Sequence, residues 1–309
     1  MSKKAFLFPG QGSQKIGMLS ASAMMFPEVN ETFAEASEIV GYDMWSLLQT
    51  GEQAEINMTE VTQPILLTAS VALWRVCQAK GISVDYLAGH SLGEFSALVC
   101  AGVIDFAAAV NLVKLRGQFM QTAVPPGVGA MAAIIGLEDA VIDSACQQVA
   151  GSQCVQAVNY NSPGQVVIAG HKEAVELAIN ELKTLGVKKA MPLPVSAPFH
   201  TDLMRPAGEK LAEVMQNLSF STPKIPIIHN VHAAAESNPD KIRQLMVEQI
   251  YSPVRWSACV KEIAQYGVVD FVECGPSKVL TGLCKRIDKG LQCNPIEEPE
   301  ALLKCLETV

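Results

Sequence analysis

Gly89-His90-Ser91-Leu92-Gly93 lies between a short apolar run, Val84–Ala88, and a stretch rich in Ala and Leu, Glu94–Cys100. It fits the G-x-S-x-G pattern of a nucleophile elbow in the context that pattern requires, after an expected strand and before an expected helix. A serine at so sharp a turn has to adopt strained backbone angles, and flanking glycines relieve the crowding. The turn lifts the hydroxyl to a helix N-terminus, where amide dipoles favour developing negative charge. The bland alternative is a tight turn around a buried serine.

Outward from the elbow, Lys4–Phe8 is an apolar run closed by Pro9-Gly10-Gln11-Gly12, a buried strand entering a glycine-rich loop. Helical stretches are expected at about Met18–Val40 and Glu60–Lys80. The second carries Val61, Ile65, Thr68, Ala72 and Val76 at helical spacing and stops at Gly81. Asp105 is placed to cap a helix running to about Gln121. After Pro125-Pro126-Gly127 the pattern changes to strand Ala130–Ile135, helix Leu137–Val149, strand Cys154–Val158 and turn Asn161-Ser162-Pro163-Gly164. Strand Gln165–Ala169, helix Lys172–Leu185 and strand Val187–Met191 follow. That βαββαβ order predicts a ferredoxin-like domain inserted over residues 127–197.

Beyond it come helix Asp202–Asn217, strand Ile225–Ile228, helices Asp240–Ile250 and Ser257–Tyr266, strand Val268–Glu273 and helix Ser277–Arg286. Strands alternating with helices on both sides of the insert predict an α/β-hydrolase-like main domain with a mostly parallel sheet, from residues 1–126 and 198–309.

The 309 residues, 49% hydrophobic and 17% charged, are enough for a large buried core. A net charge of −8 without long Lys/Arg runs argues against a nucleic-acid partner. No apolar run approaches the roughly 18 residues of a membrane span, and the run after Lys3-Lys4 is too short for a signal-peptide core. The nine cysteines are scattered, with Cys77, Cys100, Cys259 and Cys274 in apolar surroundings and no C-x-x-C spacing. Reduced thiols and a cytoplasmic location are expected.

A serine hydroxyl needs a base, and there are five histidines to supply one. His90 adjoins the nucleophile but is expected to point away from its hydroxyl. His171 starts a helix in the insert, and His229 and His232 read as surface residues of a polar loop. His200, in Val195-Ser196-Ala197-Pro198-Phe199-His200-Thr201, falls where the insert returns to the main domain, a natural cleft. It is the favoured base, though the residues alone leave the other four open.

Phe8-Pro9-Gly10-Gln11-Gly12-Ser13-Gln14, Gly89-His90-Ser91-Leu92-Gly93-Glu94, Asn161-Ser162-Pro163-Gly164-Gln165 and Ala197-Pro198-Phe199-His200 occur in an order that resembles the malonyl-CoA:acyl carrier protein transacylases of fatty-acid synthesis. The acyltransferase domains of polyketide synthases share it. The likeness runs from Ala5 to about Leu283.

The resemblance implies that Ser91 attacks a malonyl thioester, that His200 takes its proton, and that a backbone carbonyl, here that of Gln249, orients the histidine without a triad carboxylate. It implies an oxyanion hole from the amides of Gln11 and Leu92, and Arg116 as receptor of the malonyl carboxylate, for which a guanidinium offers two parallel hydrogen bonds. Phe199 would narrow the pocket against an α-methyl branch. Asn161 would stand in the polar loop beside the site and help hold the acyl group or neighbouring backbone, with a turn role equally open, and Gln63 would line the cleft or, more readily, pack.

Malonyl-CoA and an acyl carrier protein are the expected partners, with no metal or redox cofactor and coenzyme A thioester as substrate only. Lys285, Arg286 and Lys289, with Lys188 and Lys189, form the expected carrier-protein surface or else a set of solvated charges. The rival readings are a stand-alone polyketide-type acyltransferase, an esterase or thioesterase, and a non-catalytic carrier-binding subunit. For the second, Asp143 and Glu173 precede His200 as a triad carboxylate should but fall inside the insert, where none is expected.

Overall fold

Lys4–Phe8, buried at every residue, forms the middle of a five-stranded sheet. The structure, a computed structural model, describes residues 3–195 and 197–307. Its strands in chain order are β1 (Lys4–Phe8), β2 (Tyr86–Gly89), β3 (Gly129–Ile135), β4 (Val155–Ser162), β5 (Gln165–His171), β6 (Lys189–Pro192), β7 (Ile227–Ile228), β8 (Asp270–Glu273) and β9 (Gln292–Pro295).

The first sheet has the order β7-β2-β1-β8-β9 with every pair parallel. A parallel sheet needs crossover helices on its faces, which explains why β1 after Lys4 is continuously apolar rather than alternating. Phe6 and Phe8 face a large cluster, with the Phe6 ring 5.5 Å from Trp74 in an edge-on contact. Ala5 and Leu7 face a second cluster around Trp256 and Phe271. Both faces are therefore covered, and the strand ends converge on one edge where loops can carry a site.

The second sheet has the order β4-β5-β3-β6 with antiparallel pairs throughout. Helices Asp139–Ala150 and Lys172–Thr184 bury Ile142, Ala178 and Leu182 against Ile134, Val166 and Ile168. β4 also reaches the other half of the molecule. The Val254 amide donates to Val158 O at 2.8 Å, and the Tyr160 amide donates to Val254 O at 3.0 Å. The protein is thus mixed α/β, with one parallel and one separate antiparallel sheet. Among the described residues, no helix is long and apolar enough to cross a membrane.

Several boundaries differ from expectation. The helix expected over Met18–Val40 is two, Ser20–Met25 and Pro27–Val40, because Pro27 has no amide to donate and opens the second helix instead. β4 continues through Ser162, so Asn161 and Ser162 belong to a strand and only Pro163-Gly164 turns. Ile225–Ile228 contributes only two strand residues. Helices Met44–Thr50 and Gln53–Ile56, β9 and helix Pro299–Leu306 had no counterpart in the sequence reading. Asp105 does cap its helix, accepting from the Ala107 and Ala108 amides at 2.9 and 3.2 Å.

Candidate active site

β2 stops at Gly89 and helix Leu92–Cys100 starts two residues later, so the chain reverses at Ser91 with φ 50° and ψ −105°. Such angles cost a non-glycine residue about 1–3 kcal/mol and persist only where neighbours enforce them. The glycines serve close approach. A Cβ on Gly93 would lie 2.0 Å from Phe8 O, and one on Gly89 would lie 1.9 Å from the Gly93 carbonyl carbon. Without side chains there, the helix packs directly onto the end of β1. Leu92 heads that helix, whose first-turn amides have no intrahelical acceptor.

Ser91 Oγ lies 2.8 Å from His200 Nε2. His200 is 3% exposed, and its Nδ1 is 2.8 Å from the Gln249 main-chain oxygen. A carbonyl can only accept, so Nδ1 carries the proton and Nε2 is free to receive one from the serine. Burial, and secondarily the positive charge of Arg116, push the His200 pKa down to about 3, so the imidazole is a neutral base.

Arg116 comes from the buried side of helix Phe106–Thr122 and is 1% exposed. Its Nη1 donates to Gln63 Oε1 at 2.8 Å, and its Nη2 donates to Gln249 Oε1 at 2.9 Å and to Ser91 Oγ at 3.2 Å. The guanidinium also sits 5.2 Å from the centre of the Phe95 ring. Burial lowers its pKa to about 9, which leaves it cationic near neutrality, with Glu94 opposing the shift. A buried cation with neutral partners favours an anionic ligand.

Beneath the serine is a polar cluster that the sequence reading missed. Glu94 is buried and accepts three donors: His229 Nδ1 at 2.6 Å, Gln249 Nε2 at 2.7 Å and the Asn230 amide at 3.2 Å. His229, expected at the surface, is fully buried, whereas His232 is exposed as expected. The sequence signal for the pair was a polar His-Asn dipeptide immediately after the apolar Ile227-Ile228. The side chain of Gln249 was missed too, since only its carbonyl was assigned. Gln63, expected either to line the cleft or, more readily, to pack, both lines the cavity and accepts from the arginine.

A cavity of about 500 Å³ opens onto these groups and is lined by Gln11, Gln63, Ser91, Leu92, Arg116, Phe199 and His200. The structure therefore brings together every expected site residue except Asn161. Asn161 points its Oδ1 to His90 Nε2, 2.8 Å away, while Asn159 from the same strand lines the cavity. His90 itself lines the cavity, with its Nε2 engaged by Asn161. Asp143, one candidate triad carboxylate, accepts from the Tyr160 hydroxyl at 2.8 Å.

The chain matches a sequence model described as the acyl transferase domain over residues 5–296. It is 56% identical over 308 residues to the malonyl CoA-acyl carrier protein transacylase of Escherichia coli (strain K12), covering 99% of this chain and 100% of that one. An acyl carrier protein S-malonyltransferase from Vibrio cholerae superposes with a TM-score of 0.97 at 54% identity, covering 98% of this chain and 99% of its own. A malonyl-transacylase solved in complex with its type II polyketide-synthase acyl-carrier protein superposes with a TM-score of 0.98 at 52% identity over the whole of both chains. With its serine, histidine and arginine gathered in one cavity and full-length relatives at this level of identity, the chain belongs to the acyl transferase family and, within it, to the malonyl CoA-acyl carrier protein transacylases.

Proposed function

We propose that this enzyme moves the malonyl group of malonyl-CoA onto the phosphopantetheine thiol of an acyl carrier protein, through a malonyl ester on Ser91, to supply fatty-acid synthesis. The observation that carries the proposal is that Ser91 Oγ lies within hydrogen-bonding reach of both a neutral imidazole and a buried guanidinium, at 2.8 and 3.2 Å. The first activates a nucleophile, and the second selects an acyl group that ends in a carboxylate.

In the first half-reaction the malonyl carboxylate pairs with Arg116 and Ser91 Oγ attacks the thioester carbon while its proton passes to His200 Nε2. The resulting oxyanion is received by the amides of Gln11 and Leu92, one from the glycine-rich loop and one from the helix start. The C–S bond breaks, and His200 returns its proton to the departing coenzyme A thiolate. In the second half-reaction His200 deprotonates the carrier thiol, which attacks the ester. The Ser91 alkoxide then leaves with the proton from His200, so enzyme and protons return to their starting state. The Gln249 carbonyl favours the Nδ1-protonated tautomer and steadies the imidazolium formed in each half-reaction.

A hydrolase triad is disfavoured because His200 Nδ1 is engaged by a carbonyl and Asp143 by Tyr160. Phe199, at 8% exposure on the cavity wall, would crowd an α-methyl branch. Asn161 would act indirectly, by steadying His90 beside the nucleophile. The antiparallel sheet is read as a ferredoxin-like insert over residues 127–197, supported by its strand order of second, third, first, fourth with two helices on one face. The parallel remainder, 1–126 and 198–309, is read as α/β-hydrolase-like.

Lys188, Lys189, Lys285, Arg286 and Lys289 are all exposed and remain the proposed surface for an acidic carrier protein. Arg286 donates to Gln165 Oε1 at the start of β5, which ties its helix to the antiparallel sheet. A cytoplasmic location accords with the absence of a disulfide among the described cysteines.

The test is incubation with radiolabelled malonyl-CoA, with and without holo carrier protein. Label accumulating on the carrier supports transfer. Rapid release of free malonate with an unlabelled carrier supports hydrolysis instead and defeats the proposal.

A further inference from the structure

The parallel pairing of β7 with β2 ends early, at Ile227 opposite Leu87 and Ile228 opposite Ala88. Continued one step past His229, the register would set residue 230 opposite His90. In a parallel ladder such a residue donates its backbone amide to the carbonyl before its partner and accepts, on its carbonyl, the amide after its partner. The acceptor and donor in question are Gly89 O and the Ser91 amide.

Both are satisfied, but by a side chain. Asn230 Nδ2 donates to Gly89 O at 2.8 Å, and Asn230 Oδ1 accepts from the Ser91 amide at 2.8 Å. The backbone of Asn230 has left the ladder, its amide donating to Glu94 Oε2 and its carbonyl accepting from the Arg255 amide at 3.1 Å. The residue is fully buried.

We propose that Asn230 is a positioning residue for the nucleophile, its carboxamide standing in for a missing strand peptide and clamping the backbone on both sides of the elbow. The inference rests on the acyl-transfer reading above. A carboxamide suits the task because it presents one donor and one acceptor side by side, as a peptide group does. The clamp lies directly under a residue with φ 50° and ψ −105°, a conformation that needs external support. Ser91 Oγ and the Leu92 amide are set by the same few dihedrals. Slackening the backbone at Gly89 and Ser91 therefore moves the nucleophile and one oxyanion donor together, without touching Arg116 or the cavity wall.

Two substitutions separate the parts of the clamp. Asn230→Asp keeps an acceptor for the Ser91 amide but sets a carboxylate oxygen against Gly89 O. Asn230→Ser shortens the side chain so that it cannot span both groups. Each variant is checked for folding by circular dichroism and gel filtration. It is then assayed for the single-turnover rate of malonyl loading, for the KM of malonyl-CoA, and for labelling of Ser91 by a neutral fluorophosphonate, which has no carboxylate for Arg116 to bind.

The expected result is a fall of at least about tenfold in both the loading and the labelling rates, with KM changed by less than about twofold. Unchanged rates per folded molecule overturn the inference. So does a rise in KM with labelling intact, or the failure of both variants to fold, which would make Asn230 a folding element. A wild-type enzyme that labels with fluorophosphonate but never loads malonyl defeats the functional reading instead.

Discussion

Arg116 Nη2 donates to Ser91 Oγ at 3.2 Å, so the residue assigned to the acyl carboxylate also touches the nucleophile. The guanidinium lies beside the hydroxyl that becomes an alkoxide, and its charge helps hold His200 neutral. Arrival of a malonyl carboxylate offsets that charge and so makes the imidazole more basic as the substrate settles. The same gain is absent for an uncharged acyl group.

Arg116→Ala is therefore expected to reduce malonyl loading by about 100-fold or more, while acetyl loading falls far less. Arg116→Lys keeps the charge but not the fork, and restores only part of the difference. Comparing loading from malonyl-CoA and acetyl-CoA by intact mass spectrometry checks this, and equal losses for the two would show the carboxylate contact to be misassigned.

His200 offers a pH signature. In the folded protein its pKa is pushed down to about 3, against roughly 6.5 in an unfolded chain. The kcat/KM profile for loading reports the free enzyme, so it should lack the inflection near pH 6.5 that an exposed histidine base gives. Stability follows the same shift. Between pH 6.5 and 3 the unfolded chain binds a proton that the native state refuses. The native state is therefore unaffected by this group above about pH 6.5 and loses stability as pH falls below it. One such group contributes at most about 1.4 kcal/mol per pH unit. The urea midpoint of wild type should fall more steeply over that range than that of His200→Gln.

Gln249 is expected to separate into two functions. Its carbonyl, which orients His200, survives substitution, whereas its side chain binds Arg116, Ser91 O and Glu94. Gln249→Ala should cost about tenfold in malonyl loading, with a raised KM, because the guanidinium loses a fixed partner. A loss confined to kcat would instead implicate the histidine.

Glu94→Ala leaves three donors, from His229, Asn230 and Gln249, without their buried acceptor. A destabilisation of about 3 kcal/mol or more is expected in urea unfolding, since each orphaned buried group costs roughly 1–3 kcal/mol. A change below about 1 kcal/mol would show that water reaches the cluster.

Much of this arrangement was legible beforehand, and the reasons are physical. The elbow could be read because close packing of helix Leu92–Cys100 on β1 admits only glycine at Gly89 and Gly93, and glycines leave a pattern. The helix at Asp105 could be read because capping is local. Asn161 was read as a turn residue because Pro163-Gly164 signals a turn without fixing where it starts, and the pairing of β4 with β5 continues to Ser162 opposite Gln165. The cluster of Glu94, His229 and Asn230 was hidden for a different reason. Glu94 lies more than a hundred residues before His229 and Asn230, and a charged residue three places after the serine reads as surface until the fold buries it. Strand β9 and helix Pro299–Leu306 lie past the last motif, where short half-buried elements give weak periodicity.

The central claim, that one hydroxyl carries the acyl group, is tested most directly by exposing the enzyme to malonyl-CoA without carrier protein, quenching, and mapping the modified peptide by mass spectrometry. The account predicts one malonyl group per molecule, on Ser91, absent from Ser91→Ala and formed at least about a hundredfold more slowly in His200→Ala. Malonyl found on any other residue, or loading of Ser91→Ala at the wild-type rate, would contradict it.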